Sequence, residues 1–442
     1  MVAREEGAGD VIAGTSRLDI TPLPGAELSG FAARIQPSTG ILDPLHARGL
    51  YLEDGGERLL WLHTDLVGVE RALVLEMRRW AHDRLGIAGD RVMLSATHTH
   101  SGPCTVRLLE AGAYDPAYVE FLRRRLRDTA IAAAARTGPC VAVACEGLLD
   151  LAVDRRRKAS SRTDPRIAAV GLRRPDGTFA AVLVNHPMHA VALGAANRQA
   201  SADVPGQAAL ALERMLPGAP EVLVTNGACG NLNPPGENVP FAQVRAWGRD
   251  VAEAVAPGLL RAPPAGDQAL RVLSRLSPLP VEALDAGGIE TFARKALGSP
   301  GPLAEWGDKY RRAVETWRRS MLQALQEGRT AAHRDAELFS VRIAGRIFLG
   351  VNAEMFSEFT DLLRADTGAL VSVVGYANGL LGYVPTRAAY AEGGYEVDTA
   401  HIFYGDFRPQ AGGLELLARK AADIIRDVSK PSGASSSGRL RP

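Results

Sequence analysis

Two histidines one residue apart, His98 and His100, stand in Thr97-His-Thr-His-Ser-Gly-Pro103. Imidazole is the commonest protein metal ligand and titrates near neutrality. An HxH pair therefore suits one metal ligand beside a second imidazole that moves protons. The same pattern is also met as a polar strand terminus, so other residues must decide. Further donors lie far away in sequence: His186 and His189, then Glu354, then Tyr383. A zinc hydrolase needs roughly three N/O protein ligands and one open position where water is acidified. Spacing alone does not bring these groups together, and satisfied core histidines are the competing account.

The elements that must carry them are readable in outline. Arg91-Val-Met-Leu-Ser-Ala-Thr97 is a short apolar run stopped by Ser101-Gly-Pro103, which puts the histidine pair at a strand's end. Alternation along a strand predicts His98 and His100 on one side, with Thr97 and Thr99 on the other. Upstream, residues 11–20 read as a strand and Asp54-Gly55 as a hairpin turn into residues 58–64. Residues 70–85 form an amphipathic helix stopped at Gly86. Asp115-Pro116 opens a helix reaching about Arg136. Residues 140–151, 167–172, 179–185 and 221–225 read as strands, the third delivering His186 and His189, and residues 205–216 as a short helix. A hairpin turning at Ala344-Gly345 aims residues 347–351 at Glu354, residues 370–376 form another strand, and residues 413–428 a closing amphipathic helix. Alternating strands and helices with polar residues at strand ends predict an α/β fold of mixed β-sheets flanked by helices. One catalytic domain then spans residues 11–428, between a flexible start at 1–10 and a disordered, linker-like tail at 429–442. Within it, residues 262–334 read as Pro- and Gly-rich spacers around one amphipathic helix at about 308–326, whose aromatic stripe is core packing.

Composition narrows the function. The chain has 442 residues, 46% of them hydrophobic, which is enough to bury a full core. Its 51 basic and 50 acidic residues leave a net charge of +1, so no global field draws it to nucleic acid or to an anionic membrane. No stretch has the apolar length of a membrane span, and the first ten residues lack the apolar segment of a secretory signal, so a cytoplasmic location is expected. Four cysteines, Cys104, Cys140, Cys145 and Cys229, are too few and too irregular for a disulfide framework and read as reduced thiols. Cys229 in Asn226-Gly-Ala-Cys-Gly-Asn231 reads as a small buried thiol rather than a nucleophile.

Several motifs agree in order and spacing with one family. Thr97-His-Thr-His-Ser-Gly-Pro103, Ser201-Ala-Asp-Val-Pro-Gly206, the Asn226-Gly-Ala loop, Gly382-Tyr-Val-Pro-Thr386 and Gly394-Tyr-Glu396 resemble the neutral, non-lysosomal ceramidase family over about residues 13–417. The resemblance implies a zinc amidase acting on an N-acylated amine, with His98, Glu354 and Tyr383 as Zn2+ ligands. The second ligand histidine has two candidates. The family's His-Pro dipeptide falls at His186, but spacing to Leu193-Gly194 and to Asn185 selects His189 as the ligand and leaves His186 as its neighbour. The resemblance further implies His100 as the acid/base imidazole, Tyr395 as a hydrogen-bond donor to the tetrahedral intermediate, and Arg155 as the site arginine. Asp154 replaces the family's asparagine there, which leaves Arg156 as the alternative.

Other departures bear on substrate. The expected domain layout has no signal and no C-terminal immunoglobulin-like domain, so ceramide in a membrane need not be the substrate. The reaction expected is hydrolysis of an amide in a small N-acyl amine, lipid or otherwise. The alternatives are a zinc hydrolase for an ester, lactone or phosphoester, and a non-catalytic binding protein on the same fold. Oligomeric state is not readable.

Overall fold

The computed structural model of the chain describes residues 11–156 and 163–430. The flexible start expected at 1–10, and residues 431–442 of the expected tail, lie outside the described residues. Ser429, assigned by the sequence to that tail, instead caps the last helix, its N–H and hydroxyl donating to the Ile425 carbonyl at 3.1 and 2.7 Å.

The architecture is four layers, helix, sheet, sheet, helix. The larger sheet has eight strands in the order Glu221–Asn226, Phe179–His186, Arg166–Arg173, Thr137–Leu148, Val11–Asp19, His46–Asp54, Glu57–Thr64 and Val92–Ala96. The smaller has four: Arg271–Pro280, His333–Ile343, Arg346–Val351 and Val371–Val374. Alternation explains how they stack. Leu50, Leu52, Leu59 and Trp61 point from the large sheet into one cluster with Phe339, Val341 and Phe348 of the small sheet. Their neighbours Tyr51, Leu60 and Leu62 point the other way, under the helices Arg71–Leu85 and Pro116–Ala135. On the small sheet Ile347 and Leu349 face outward beneath Glu358–Thr367 and Gly413–Val428, while Phe348 faces inward, 5.9 Å from Trp61 between ring centroids. The expected mixed-sheet α/β fold is present.

Three parallel pairs put strand ends on the same edge of the molecule: Glu57–Thr64 with Val92–Ala96, Phe179–His186 with Glu221–Asn226, and Arg346–Val351 with Val371–Val374. Loops leaving those ends are stitched by backbone bonds, Gly375 N–H to Asn226 O (3.1 Å) and Gly230 N–H to Met355 O (2.8 Å). Segments more than a hundred residues apart thus become one floor.

One expectation needs correction, and one helix was not foreseen. Residues 262–334 hold not one helix but the strand Arg271–Pro280 and the helices Ala286–Leu297 and Pro300–Gln326. Pro278 and Pro280 hid the strand, and they are tolerated because it is the sheet's edge. Gly287 and Gly288 hid the first helix, whose start Asp285 caps by accepting from the Gly288 N–H at 2.7 Å. The helix Phe241–Arg261 was also missed, for it contains Gly248, Pro257 and Gly258. Gly248 is there for contact: a Cβ would stand 2.5 Å from Gln207 Cβ of the helix Asp203–Met215.

Candidate metal centre and active-site cavity

The strand leading to the histidine pair ends at Ala96, earlier than alternation along it requires. Thr97 is held by its N–H to Thr64 O (2.9 Å) and by Asn226 Nδ2 to its carbonyl (2.6 Å). His98 then takes a left-handed backbone, φ 56°. A bulky residue in that region is strained, and such residues persist where the surroundings over-determine them. The two rings do share one space, with centroids 4.9 Å apart. A reversed backbone brings them there, not strand alternation.

His98, His189 and Glu354 offer ligand atoms that all lie within 4.8 Å of one another, and all three are buried. Among the described residues this group could hold a metal ion. His98 Nδ1 lies 2.6 Å from Val67 O, and His189 Nδ1 lies 2.6 Å from Cys229 O. A carbonyl only accepts, so both Nδ1 atoms carry the proton and both neutral rings turn an Nε2 lone pair inward. Those atoms face Glu354 Oε2, at 3.5 Å from His98 and 3.0 Å from His189. Two lone pairs against a carboxylate oxygen repel unless a cation joins them, either a proton or a metal. The titration tendencies say the same. Burial alone would raise the Glu354 carboxyl, but His98, His189 and Tyr404 hold it down at about 2. Burial pulls His98 down to about 4. Burial opposes His189 too, yet Cys229 and Glu354 raise it to about 9, the direction expected of a ring that faces a carboxylate.

Two tyrosines that sequence reasoning did not single out complete the surround. The Tyr404 hydroxyl donates to Glu354 Oε1. Tyr376, at φ 58°, stacks on His98 with centroids 3.9 Å apart and brings its hydroxyl to 3.2 Å from His189 Nε2. The only sequence signal was that Tyr376 ends a strand; Tyr404 gave none.

The remaining candidates fall into place around this cluster. His189, not His186, joins the cluster; His186 ends its strand with Nε2 lacking a hydrogen-bond partner. His100 Nε2 lies 3.2 Å from His98 Nε2. Burial first, then the neighbouring imidazoles, keep His100 well below its usual pKa. Tyr383 pairs with Glu354 in a short parallel bridge, and its ring lies nearly parallel to that of His189, centroids 6.3 Å apart. Arg155 lies over the Tyr383 ring, 5.3 Å to the centroid, and donates to Glu396 Oε1 at 2.7 Å and Gly230 O at 2.8 Å. Arg156 donates to Glu396 Oε2 at 2.9 Å but turns its other nitrogen to Gly393 O at 2.9 Å, so Arg155 is the arginine nearer the cluster. Glu396, which clamps both, was seen in the sequence only as part of a motif. Tyr395 sits edge-on to Tyr383 at 5.7 Å and to Trp306 at 5.6 Å.

His98, at the edge of the buried group, opens onto one cavity of about 890 Å3. His98, His100, Tyr383 and Tyr404 line it together with the apolar Phe31, Val191, Trp306 and Phe403, and with Arg155 and Glu396. An apolar wall with a few convergent polar groups is the usual make-up of a small-molecule site.

Fold and site together define a class: a layered α/β protein with a buried His/His/Glu group able to hold a metal at the base of a ligand-sized cavity. No protein-family model matches the sequence. Among solved structures the chain is similar to the neutral ceramidase from Pseudomonas aeruginosa, with a TM-score of 0.71 and 19% identity over 96% of this chain and 76% of that one. It is equally similar to a ceramidase complexed with C2, with a TM-score of 0.73 and 20% identity over 96% of this chain and 77% of that one. The resemblance read from the motifs therefore holds at the level of fold across nearly the whole chain.

Among the described residues, no helix is long and apolar enough to cross a membrane.

Proposed function

We propose that the chain is a zinc-dependent hydrolase that cleaves the amide bond of an N-acylated amine, with His98, His189, Glu354 and Tyr383 as the metal's ligands. The observation that carries this reading is the inward pair of Nε2 lone pairs against one carboxylate, at the base of a cavity. A donor set of nitrogen and oxygen atoms, with both rings oriented by main-chain carbonyls, suits zinc. When bound, zinc would acidify a water and polarise the scissile carbonyl.

The chain's own groups supply the rest. Val67 and Cys229 carbonyls fix the two ligand tautomers, and Tyr404 orients the carboxylate. An amine leaves an amide only when its nitrogen takes a proton, and His100, neutral at rest and bound to no backbone carbonyl through its ring, is the imidazole placed beside the cluster to take up a proton and pass it on. Such a group suits an amide as the substrate. Tyr395 and Arg155 are the donors for the developing oxyanion. The similarity of fold to ceramidases supports lipid-type N-acyl amines as the first substrates to try. A small molecule is the partner in this reading, and nucleic acid is not. A cytoplasmic setting is part of the same reading.

The test combines metal analysis of the purified protein with a panel of short- and long-chain N-acyl amines and their ester analogues. His100→Ala should keep its metal and lose about 10²–10⁴-fold in kcat. Unchanged amide turnover in that variant would remove the role given to His100. A protein without stoichiometric zinc, and without hydrolysis when zinc is added, would favour a binding function.

A further inference from the structure

We infer that residues 30–34 form a cradle that holds the His100 ring against the metal cluster, with Arg34 as its positioning residue. The inference rests on the acid role proposed for His100. Arg34 is only 7% exposed. Its Nε donates to Asn197 O at 2.9 Å, Nη1 to His100 O at 2.8 Å and Ser29 O at 3.2 Å, and Nη2 to Gly194 O at 3.2 Å. Every one of these acceptors is a neutral main-chain carbonyl. Burying a cation opposite carbonyls rather than a carboxylate is costly, and burial pulls this guanidinium down to about 10. What the arrangement supplies is a planar fork that ties three segments together: the loop at Ser29, the turn carrying His100, and the wall at 194–197.

The same segment also shapes the space around the ring. Arg34 lies over the Phe31 ring, 5.1 Å to its centroid. Phe31 in turn meets His100 edge-on at 4.7 Å. Gly30 has φ +94°, and a Cβ there would stand 2.4 Å from His100 Cγ and 2.5 Å from its Nδ1. Only glycine leaves the ring where it is. His98 closes the opposite side at 4.9 Å. The His100 ring is thus bounded by Gly30, Phe31 and His98, and its carbonyl is pinned by Arg34. Proton transfer depends on such placement, since a misplacement of about 1 Å can cost on the order of 10²-fold.

The experiment is Arg34→Lys, which keeps the charge and loses the fork, made in the parent and in the His100→Ala background. Acting through His100, the substitution should lower kcat about 10- to 100-fold, with KM within about twofold and zinc content unchanged. In the His100→Ala background it should lower kcat no further, because the two changes remove one function. Carbethoxylation of His100 by diethyl pyrocarbonate, followed by mass spectrometry, reads the ring's freedom without needing turnover and should accelerate in Arg34→Lys. Parental kcat in Arg34→Lys, an equal loss in both backgrounds, or an unchanged carbethoxylation rate would each overturn the cradle. A parent that hydrolyses no amide, while Arg34→Lys still frees the ring, would overturn the amidase reading and leave the cradle standing. Should Arg34→Lys fail to fold, Phe31→Leu carries the same cycle and the same outcomes.

Discussion

The two walls of the cavity are held by opposite means. On one side His98, His189 and Glu354 are exposed by 2%, 0% and 1%, follow strand ends, and have both rings steered by main-chain carbonyls. On the other, Arg155, Arg156, Glu396 and Trp306 come from loops and broken helices; the two arginines share the Glu396 carboxylate, and Trp306 packs edge-on against Tyr395. A carbonyl is present whatever the residue, so the two ring orientations on the first wall depend on the backbone, and the side chains that matter there are the ligands and Tyr404, which donates to Glu354. The second depends on each of its side chains. The difference predicts that damage to the first wall abolishes metal and activity together, whereas damage to the second leaves metal in place and alters stability, rate or selectivity.

The most severe break of the first wall is His189→Ala. It leaves the Glu354 charge buried with one imidazole, and breaking such a buried pair typically costs about 3–5 kcal/mol. We expect loss of stoichiometric zinc, loss of all turnover and a lower denaturation midpoint, read by metal analysis, kinetics and urea titration. Retained zinc would show that His189 is no ligand.

On the second wall, Glu396→Gln removes the charge and one of the two oxygens that accept from Arg155 and Arg156, at 2.7 and 2.9 Å. Arg155 keeps 22% side-chain exposure, so the stability loss should fall below the roughly 3–5 kcal/mol of a fully buried pair. Zinc should stay bound while kcat drops, and a variant that lost its zinc would collapse the distinction between the walls. Back on the first wall, Tyr404→Phe is a milder change than loss of a ligand, because it removes only the hydroxyl that orients Glu354; zinc affinity should weaken about 10- to 100-fold, measurable by competition with a chelator.

The smallest effect is expected from Trp306→Ala. Trp306 stands edge-on to Tyr395 and perpendicular to Phe403, immediately before Gly307, whose φ 53° and ψ −129° break the helix Pro300–Gln326 and aim that end at the cavity. Removing the indole should shift kcat/KM toward bulkier acyl groups by about 10-fold relative to short ones, with zinc content unchanged. Identical chain-length profiles in variant and parent would exclude Trp306 as a wall of the substrate site.

Much of the frame was legible because its signals are local. Asp54-Gly55 makes its hairpin, Gly86 stops its helix in the left-handed region at φ 65°, and Asp115 accepts from the Tyr118 N–H at 2.9 Å at the head of its helix. Where local signals were contradicted by glycine and proline, as in Phe241–Arg261 and Arg271–Pro280, contacts with the rest of the fold override propensity and the elements form regardless. The site followed the same division. His98 and Glu354 were found because each sits just beyond a readable strand. Tyr404, Tyr376 and Arg34 were not, because nothing in their neighbourhood in sequence records a partner tens to hundreds of residues away.

By itself, the sequence determined the donor types, the motif order and the strands that carry them, since apolar runs, turn residues and the side chains that bind metal are properties of short stretches. Only the tertiary structure decided that His189 rather than His186 faces Glu354, and that a left-handed His98 rather than strand alternation joins the two rings of the HxH pair. It also decided that Arg155 lies closer to the cluster than Arg156. Those outcomes depend on which loops the parallel strand ends bring together, and sheet pairing between distant segments settles that geometry in three dimensions.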